Sequence, residues 1–373
     1  MLKIGFVVNP IAGMGGRVGL KGTDKVLSKA VAMGAQPISS IKAIEFLKRL
    51  KELGVTRKIT FVTCPGMMGE NEAKFAGVKA ENLSMPTRAK TSAEDTKRGV
   101  KLMRESHVDL IVFVGGDGTA RDIYDAMGNK TDTAVLGVPS GVKMYSGIFA
   151  ASINDAADVI EAFVEGEPQT MDFEIVDADE RAIRSDYFST RLYGFLKGPF
   201  VPMRFLGSKQ ISPETQDEHE NQMAVARFIV EDMKPKGTYI LGPGTTIKCI
   251  ADLLGVEKTL LGVDIYLNGK IVKDVNEQKI LREVKDWGNT WIVLSPIGRQ
   301  GMLLGRGNQE ISPEVVRRVG KERIIVAATR SKIQGINGNV LRVETGDAQV
   351  DQMLRGFIKV AIDYREWRLL QVL

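Results

Sequence analysis

Asp117 stands inside the run Gly115-Gly116-Asp117-Gly118-Thr119, directly behind the apolar stretch 110–114 and ahead of a helical stretch over residues 119–127. Strand, glycine-rich turn and helix is the order in which α/β proteins hold a phosphate. The glycines let the backbone approach anionic oxygens, and the helix turns its free N–H groups and positive dipole end toward them. A carboxylate repels such a ligand, so its presence implies work: taking a proton, or holding a metal beside the phosphates. The chain has two histidines, His107 and His219. The first closes a predicted helix and the second lies in the polar run 214–220, so both are expected at the surface. Ser-His-Asp chemistry and histidine-ligated zinc are thereby disfavoured, which leaves a carboxylate as the proton acceptor.

Further chemistry-bearing loops follow other strands. After the first strand comes Asn9-Pro10-Ile-Ala-Gly13-Met-Gly15-Gly16-Arg17, with three glycines suited to phosphate and an arginine to add charge. Behind residues 134–138, Ser140 and Gly141 offer contacts to ribose or phosphate, Lys143 a countercharge, and Ser146 a further hydroxyl. Asp122 and Asp125 share one face of the helix after the motif, where they either meet a metal or hydroxyl or form a solvated acidic face with Arg121 nearby. Gly242-Pro-Gly244-Thr245-Thr246 opens another helix and reads as an anion site or as a cap. Residues 301–307, with Arg299 and Arg306, read as a glycine-rich flexible loop leading to a helix start at Ser312-Pro313.

These loops need a frame. Strands are expected at residues 3–8, 58–63, 78–85, 110–114 and 134–138, with helices at 24–33, 41–53, 70–75, 92–105, 119–127 and 154–165. That alternation predicts a doubly wound parallel sheet with ligands at the strand C-termini. Near residue 166 the pattern changes, and stretches 169–176, 187–192 and 194–200 read as antiparallel strands. A helix over 214–233 follows, then strands at 238–241, 263–267, 270–272, 290–294, 323–327, 340–344 and 357–362, with helices at 247–254, 277–285 and 313–319. The fold class is α/β: residues 1–166 form a nucleotide domain and 167–373 an α+β substrate-binding or oligomerisation domain, whose last element returns to the first.

The bulk numbers agree. At 373 residues the chain is long enough for two cores, and 43% hydrophobic with 26% charged residues is the balance of a globular protein. A net charge of +5, without a basic block, suits an anionic small molecule and gives no footprint for nucleic acid. Two cysteines make no disulfide framework. No stretch reads as a signal peptide or a membrane span, so a cytoplasmic protein without membrane contact is expected.

The motif at 115–119, with Asn-Pro and glycines after the first strand, resembles the NAD kinase and diacylglycerol-kinase-like superfamily. Residues 118–123, 137–144 and 305–313 are similar to the ATP-NAD kinase branch that also holds acetoin-catabolism kinase-like proteins. The resemblance implies a site between an N-terminal nucleotide domain and a C-terminal domain. It implies phosphoryl transfer from ATP, or polyphosphate, to the 2′-hydroxyl of NAD with Mg²⁺, in a homo-oligomer (dimer or tetramer). It also implies that Asp117 deprotonates the hydroxyl and that Gly115, Gly116, Gly118, Thr119 and Asn9 contact phosphate. From the loops themselves, Pro10, Gly13, Gly15, Gly16 and Asp122 are expected beside the phosphates, and Ser140, Gly141, Lys143, Ser146, Gly244, Thr245 and Thr246 at the acceptor. The Asn-Glu pair with which typical NAD kinases read the dinucleotide has no evident counterpart, and 308–310 is not that motif in its usual setting. A kinase of another hydroxylated metabolite or lipid, and a non-catalytic NAD or ATP sensor, are the competing readings.

Overall fold

The computed structural model describes residues 2–14, 38–88, 90–128, 133–140, 144–166, 169–178, 190–201, 216–298 and 300–373. They fall into two compact units, one holding the described residues up to Val201 and the other those from Gln216 onward. The helix expected at 24–33 lies outside the described residues.

In the first unit, β1 (Leu2–Val8), β2 (Ile59–Thr63), β3 (Ala80–Asn82), β4 (Leu110–Gly115) and β5 (Ala134–Pro139) form a parallel sheet of order β3-β2-β1-β4-β5. Every residue of β4 and β5 is buried, which is why these strands read as unbroken apolar runs rather than as alternation. Helices α1 (Ile38–Glu52), α2 (Glu70–Ala76), α3 (Ala93–Glu105), α4 (Asp117–Met127) and α5 (Ile153–Glu165) connect or follow the strands. In α1 the buried Ala43, Phe46, Leu47 and Leu50 recur at helical spacing, and Gly54 beyond its end takes φ 72°. The strand order reverses between β1 and β4, so the loops after these two strands flank the switch point where such sheets bind ligands.

β6 (Gln169–Ala178) and β7 (Thr190–Phe200) form an antiparallel hairpin whose inner residues Phe173, Ile175 and Leu196 join the core of the first unit. By contacts the first unit therefore extends past residue 166, where the composition changes. Ile175 opposes Gly194 and Val176 opposes Leu192, so Tyr193 is an extra residue: a β-bulge. Over the described residues from Thr190 on, the stretches expected as two strands are one strand, β7, interrupted by this bulge.

The second unit opens with α6 (Gln216–Asp232) and continues through β8 (Thr238–Leu241), α7 (Thr245–Leu253), β9 (Asp264–Leu267), β10 (Lys270–Val272), α8 (Glu277–Glu283) and β11 (Thr290–Leu294). Then come β12 (Met302–Leu304), α9 (Pro313–Val319), β13 (Ile324–Ala327), α10 (Arg330–Gln334), β14 (Val340–Val343), α11 (Ala348–Leu354), β15 (Gly356–Asp363) and β16 (Glu366–Val372). The sheet order is β10-β9-β8-β11-β13-β15-β16-β14-β12. Antiparallel pairs join β10 to β9, β9 to β8 and β15 to β16, while β8, β11, β13 and β15 run parallel. Asn268 (φ 50°) and Gly269 (φ 74°) make the left-handed turn between β9 and β10. β16 pairs with β15 and β14. Residues 301–307 are not a flexible loop, for β12 lies inside them and all seven are buried.

Candidate active site

α4 begins at Asp117 itself, with Gly116 in extended conformation (φ −123°, ψ −168°) as its N-cap. The carboxylate thus sits in the first turn, beside the helix's free N–H groups. Two backbone amides grip it: Tyr145 N–H donates to Oδ2 at 2.7 Å and Ser146 N–H to Oδ1 at 2.9 Å. Carboxylate oxygens accept more than one hydrogen bond each, so this grip fixes orientation without exhausting the group's capacity. Asp117 is half-buried, as are Gly116 and Gly118. The Tyr145 side chain is 4% exposed, and burial, then the nearby Asp117 charge, push its hydroxyl pKa above the ordinary phenol range.

The first loop is tied to this motif. Asn9 N–H bonds the Val114 carbonyl at 3.0 Å, and Asn9 Nδ2 donates to Thr119 Oγ1 at 2.9 Å. Asn9 Oδ1 accepts from Ile11 N–H at 3.3 Å, and Gly13 turns with φ 78°. The half-buried Asn9 and the buried Pro10, Gly13 and Thr119 thus share one neighbourhood with Gly115 at the β1–β4 switch point. Gly115 is required there, since a Cβ would stand 2.5 Å from Thr119 Oγ1. Gly15, Gly16, Arg17, Gly141 and Lys143 lie outside the described residues.

Two expected ligand hydroxyls are used internally. Ser140 is fully buried, and its Oγ is hydrogen-bonded to Ser39 Oγ at 2.9 Å. Ser146 is also fully buried, and its Oγ accepts from Val176 N–H at 3.0 Å. Serines beside glycines look solvent-facing in sequence, yet here each hydroxyl satisfies a buried partner. Of the helix acids, Asp125 is held by Lys97 Nζ at 2.9 Å and by the Tyr193 hydroxyl at 2.9 Å, which marks it as a brace. Arg121 pairs with Asp177 on β6, and Asp122 is half-buried on the same helix. His107 and His219 are exposed, as expected.

In the second unit, Gly244 caps α7 with φ 115°, and Thr245 Oγ1 accepts from Gln222 Nε2 at 3.2 Å. Thr246 is fully buried, and its hydroxyl finds no hydrogen-bond partner among the described residues. Asn308 stitches its own loop, donating to the Leu303 carbonyl at 2.9 Å and accepting from Gly305 N–H at 3.0 Å. Sequence reasoning missed the amides of Tyr145 and Ser146 and the bulged Tyr193. Backbone donors carry no side-chain signature, although the glycines at 141 and 147 mark a loop that can turn its N–H groups inward.

Among the described residues no group of three or more His, Cys, Asp or Glu side chains could hold a metal ion, and no helix is long and apolar enough to cross a membrane. Residues 4–168 match the ATP-NAD kinase N-terminal domain, and residues 236–372 match the ATP-NAD kinase C-terminal domain. No individual curated protein matches the chain.

Proposed function

From the premise that this chain belongs to the ATP-NAD kinase family, we propose that it transfers the γ-phosphoryl group of ATP to the adenosine 2′-hydroxyl of NAD, giving NADP, with Asp117 as general base. The observation that carries this reading is the Asp117 carboxylate, aimed by two amides at the C-terminal edge of a parallel sheet beside a glycine-rich phosphate loop.

A hydroxyl titrating far above neutrality cannot attack unaided. A carboxylate at hydrogen-bond distance takes its proton as the O–P bond forms, which typically contributes about 10²–10⁴-fold. Most of the remaining acceleration comes from alignment and charge neutralisation. The backbone around Gly115, Gly116 and Gly118, the glycines Gly13, Gly15 and Gly16 of the first loop, and the N-terminus of α4 would supply N–H donors to phosphate oxygens, with Asn9 and Pro10 shaping that loop. Asn9 and Thr119 keep the two loops in register through their mutual bond. Mg²⁺ enters as MgATP. A magnesium ion bound by phosphates needs only one or two protein carboxylates, and the half-buried Asp122 would be the candidate to reach it. For the acceptor, Gly141 and Lys143 remain the candidates after β5, and Gly244, Thr245 and Thr246 those of the second unit, the buried Thr246 hydroxyl having no hydrogen-bond partner among the described residues.

The test is a coupled assay with ATP, Mg²⁺ and NAD, scored for NADP. Formation of NADP supports the reading. Binding without turnover supports a sensor, and turnover only with another alcohol supports a different acceptor. Replacing ATP by polyphosphate in the same assay decides the donor.

A further inference from the structure

We infer that the β-bulge at Tyr193 and the buried hydroxyl of Ser146 together form a positioning device that fixes the Asp117 carboxylate from two sides. The inference rests on the catalytic role assigned above to Asp117.

The bulge has two consequences. An extra residue on one strand breaks the ladder locally and re-aims its own side chain. Tyr193 turns toward α4, where its hydroxyl bonds Asp125 and its ring packs edge-on against Tyr124 with centroids 5.5 Å apart. The neighbouring Gly194 admits this contact, since a Cβ there would stand 2.3 Å from the Tyr124 ring. On the partner strand, at the register shift between Ile175 and Val176, the Val176 N–H donates to Ser146 Oγ. One residue on, Gly147 N–H donates to the Glu174 carbonyl at 2.8 Å. The loop bearing the Tyr145 and Ser146 amides is therefore stitched to β6 at two points. The Arg121–Asp177 ion pair ties α4 to the same strand.

The hairpin thus sets both the helix that carries Asp117 and the amides that orient it. Ser146, 0% exposed, acts through Asp117 and touches no substrate. Removing its hydroxyl leaves the Val176 N–H unsatisfied and frees the 144–147 loop to drift from the carboxylate.

The test is a double-mutant cycle on the full chain with Ser146→Ala, Asp117→Asn and the pair, reading kcat and KM for ATP and NAD. Ser146→Ala is expected to lower kcat about 10–100-fold with both KM values within about twofold, the signature of misplaced chemistry rather than lost binding. In the Asp117→Asn background the same change is expected to alter the residual rate by less than about twofold, since the group it positions is gone. Independent, multiplicative losses, or a raised KM with unchanged kcat, overturn the inference. Tyr193→Phe, a milder change that leaves Asp125 bound to Lys97, is expected to lower kcat about 3–10-fold, and a wild-type kcat there also overturns it. Hydrogen exchange reads the grip without activity: the 144–147 amides should exchange faster in both Ser146→Ala and Asp117→Asn, and unchanged protection overturns the device. If wild type forms no NADP while exchange responds as expected, the activity assignment fails and the device stands.

Discussion

Replacing Gly115 by alanine tests how tightly the site is packed. Gly115 has a negative φ, so alanine meets no backbone penalty and the change is purely steric. The new Cβ would stand 2.5 Å from Thr119 Oγ1, 2.6 Å from its Cβ and 2.8 Å from its Cγ2. Ordinary carbon contacts begin near about 3.5 Å, so Thr119 must retreat by roughly 0.9 Å. Thr119 lies two residues after Asp117 in the first turn of α4, and its Oγ1 accepts the Asn9 side chain. The retreat therefore moves the turn carrying the carboxylate and breaks the link to the first loop. Overpacking of this kind costs about 1–3 kcal/mol, and misplacing a catalytic group by about 1 Å costs on the order of 10²-fold in rate. The expected outcome is a kcat lower by about two orders of magnitude, with a melting temperature lower by about 2–10 °C, measured by the coupled assay and by calorimetry. A Gly115→Ala protein with wild-type melting and turnover would refute the packing argument and the role given to this turn.

Other positions give independent checks. Lys258 and Asp264 form a fully buried ion pair at 3.4 Å, with Asp264 also accepting from the Thr259 and Asp274 amides. Lys258→Met is expected to destabilise the protein by about 3–5 kcal/mol in urea melts, because it strands a buried carboxylate. The buried Cys64 thiol is pushed up to about 12 by desolvation, so iodoacetamide at pH 8 should label it only after unfolding. Burial raises the pKa of Glu72, with the Ser40 hydroxyl opposing. A carboxyl that holds its proton more tightly when folded contributes stability below its ordinary value of 4.5, and that contribution is lost as pH rises through its folded pKa. Glu72→Gln should therefore gain stability relative to wild type between melts at pH 4 and pH 7, and a constant difference across that range would contradict the assignment.

Much of this frame was readable because the signals were local. The runs before Asn9 and Gly115 are apolar on both faces, so β1 and β4 announce themselves, and Gly54 and Ser312 mark helix ends by their backbone and capping preferences. The helix starts at Asp117, two residues before the expected start, because glycines resemble loop where they serve as cap and first turn. Elements resting on long-range pairing were hidden. β16 carries five exposed residues among seven and has little apolar pattern, yet it completes the sheet by pairing with β15 and β14. Met302-Leu303-Leu304 was masked by flanking glycines, although Gly301 and Gly305 are needed for close approach to the Val340 and Glu344 carbonyls. The grip on Asp117 was equally hidden, because it comes from main-chain amides 28 and 29 residues away.

The central claim is that Asp117 takes the proton of the NAD 2′-hydroxyl during phosphoryl transfer. The direct measurement compares NADP formation from ATP, Mg²⁺ and NAD by wild type and by Asp117→Asn, alongside nucleotide binding by calorimetry. The account predicts turnover by the wild type, a kcat lower by about 10²–10⁴-fold in the variant, and nucleotide affinities within a few-fold of each other. Wild-type-like turnover by Asp117→Asn would contradict it.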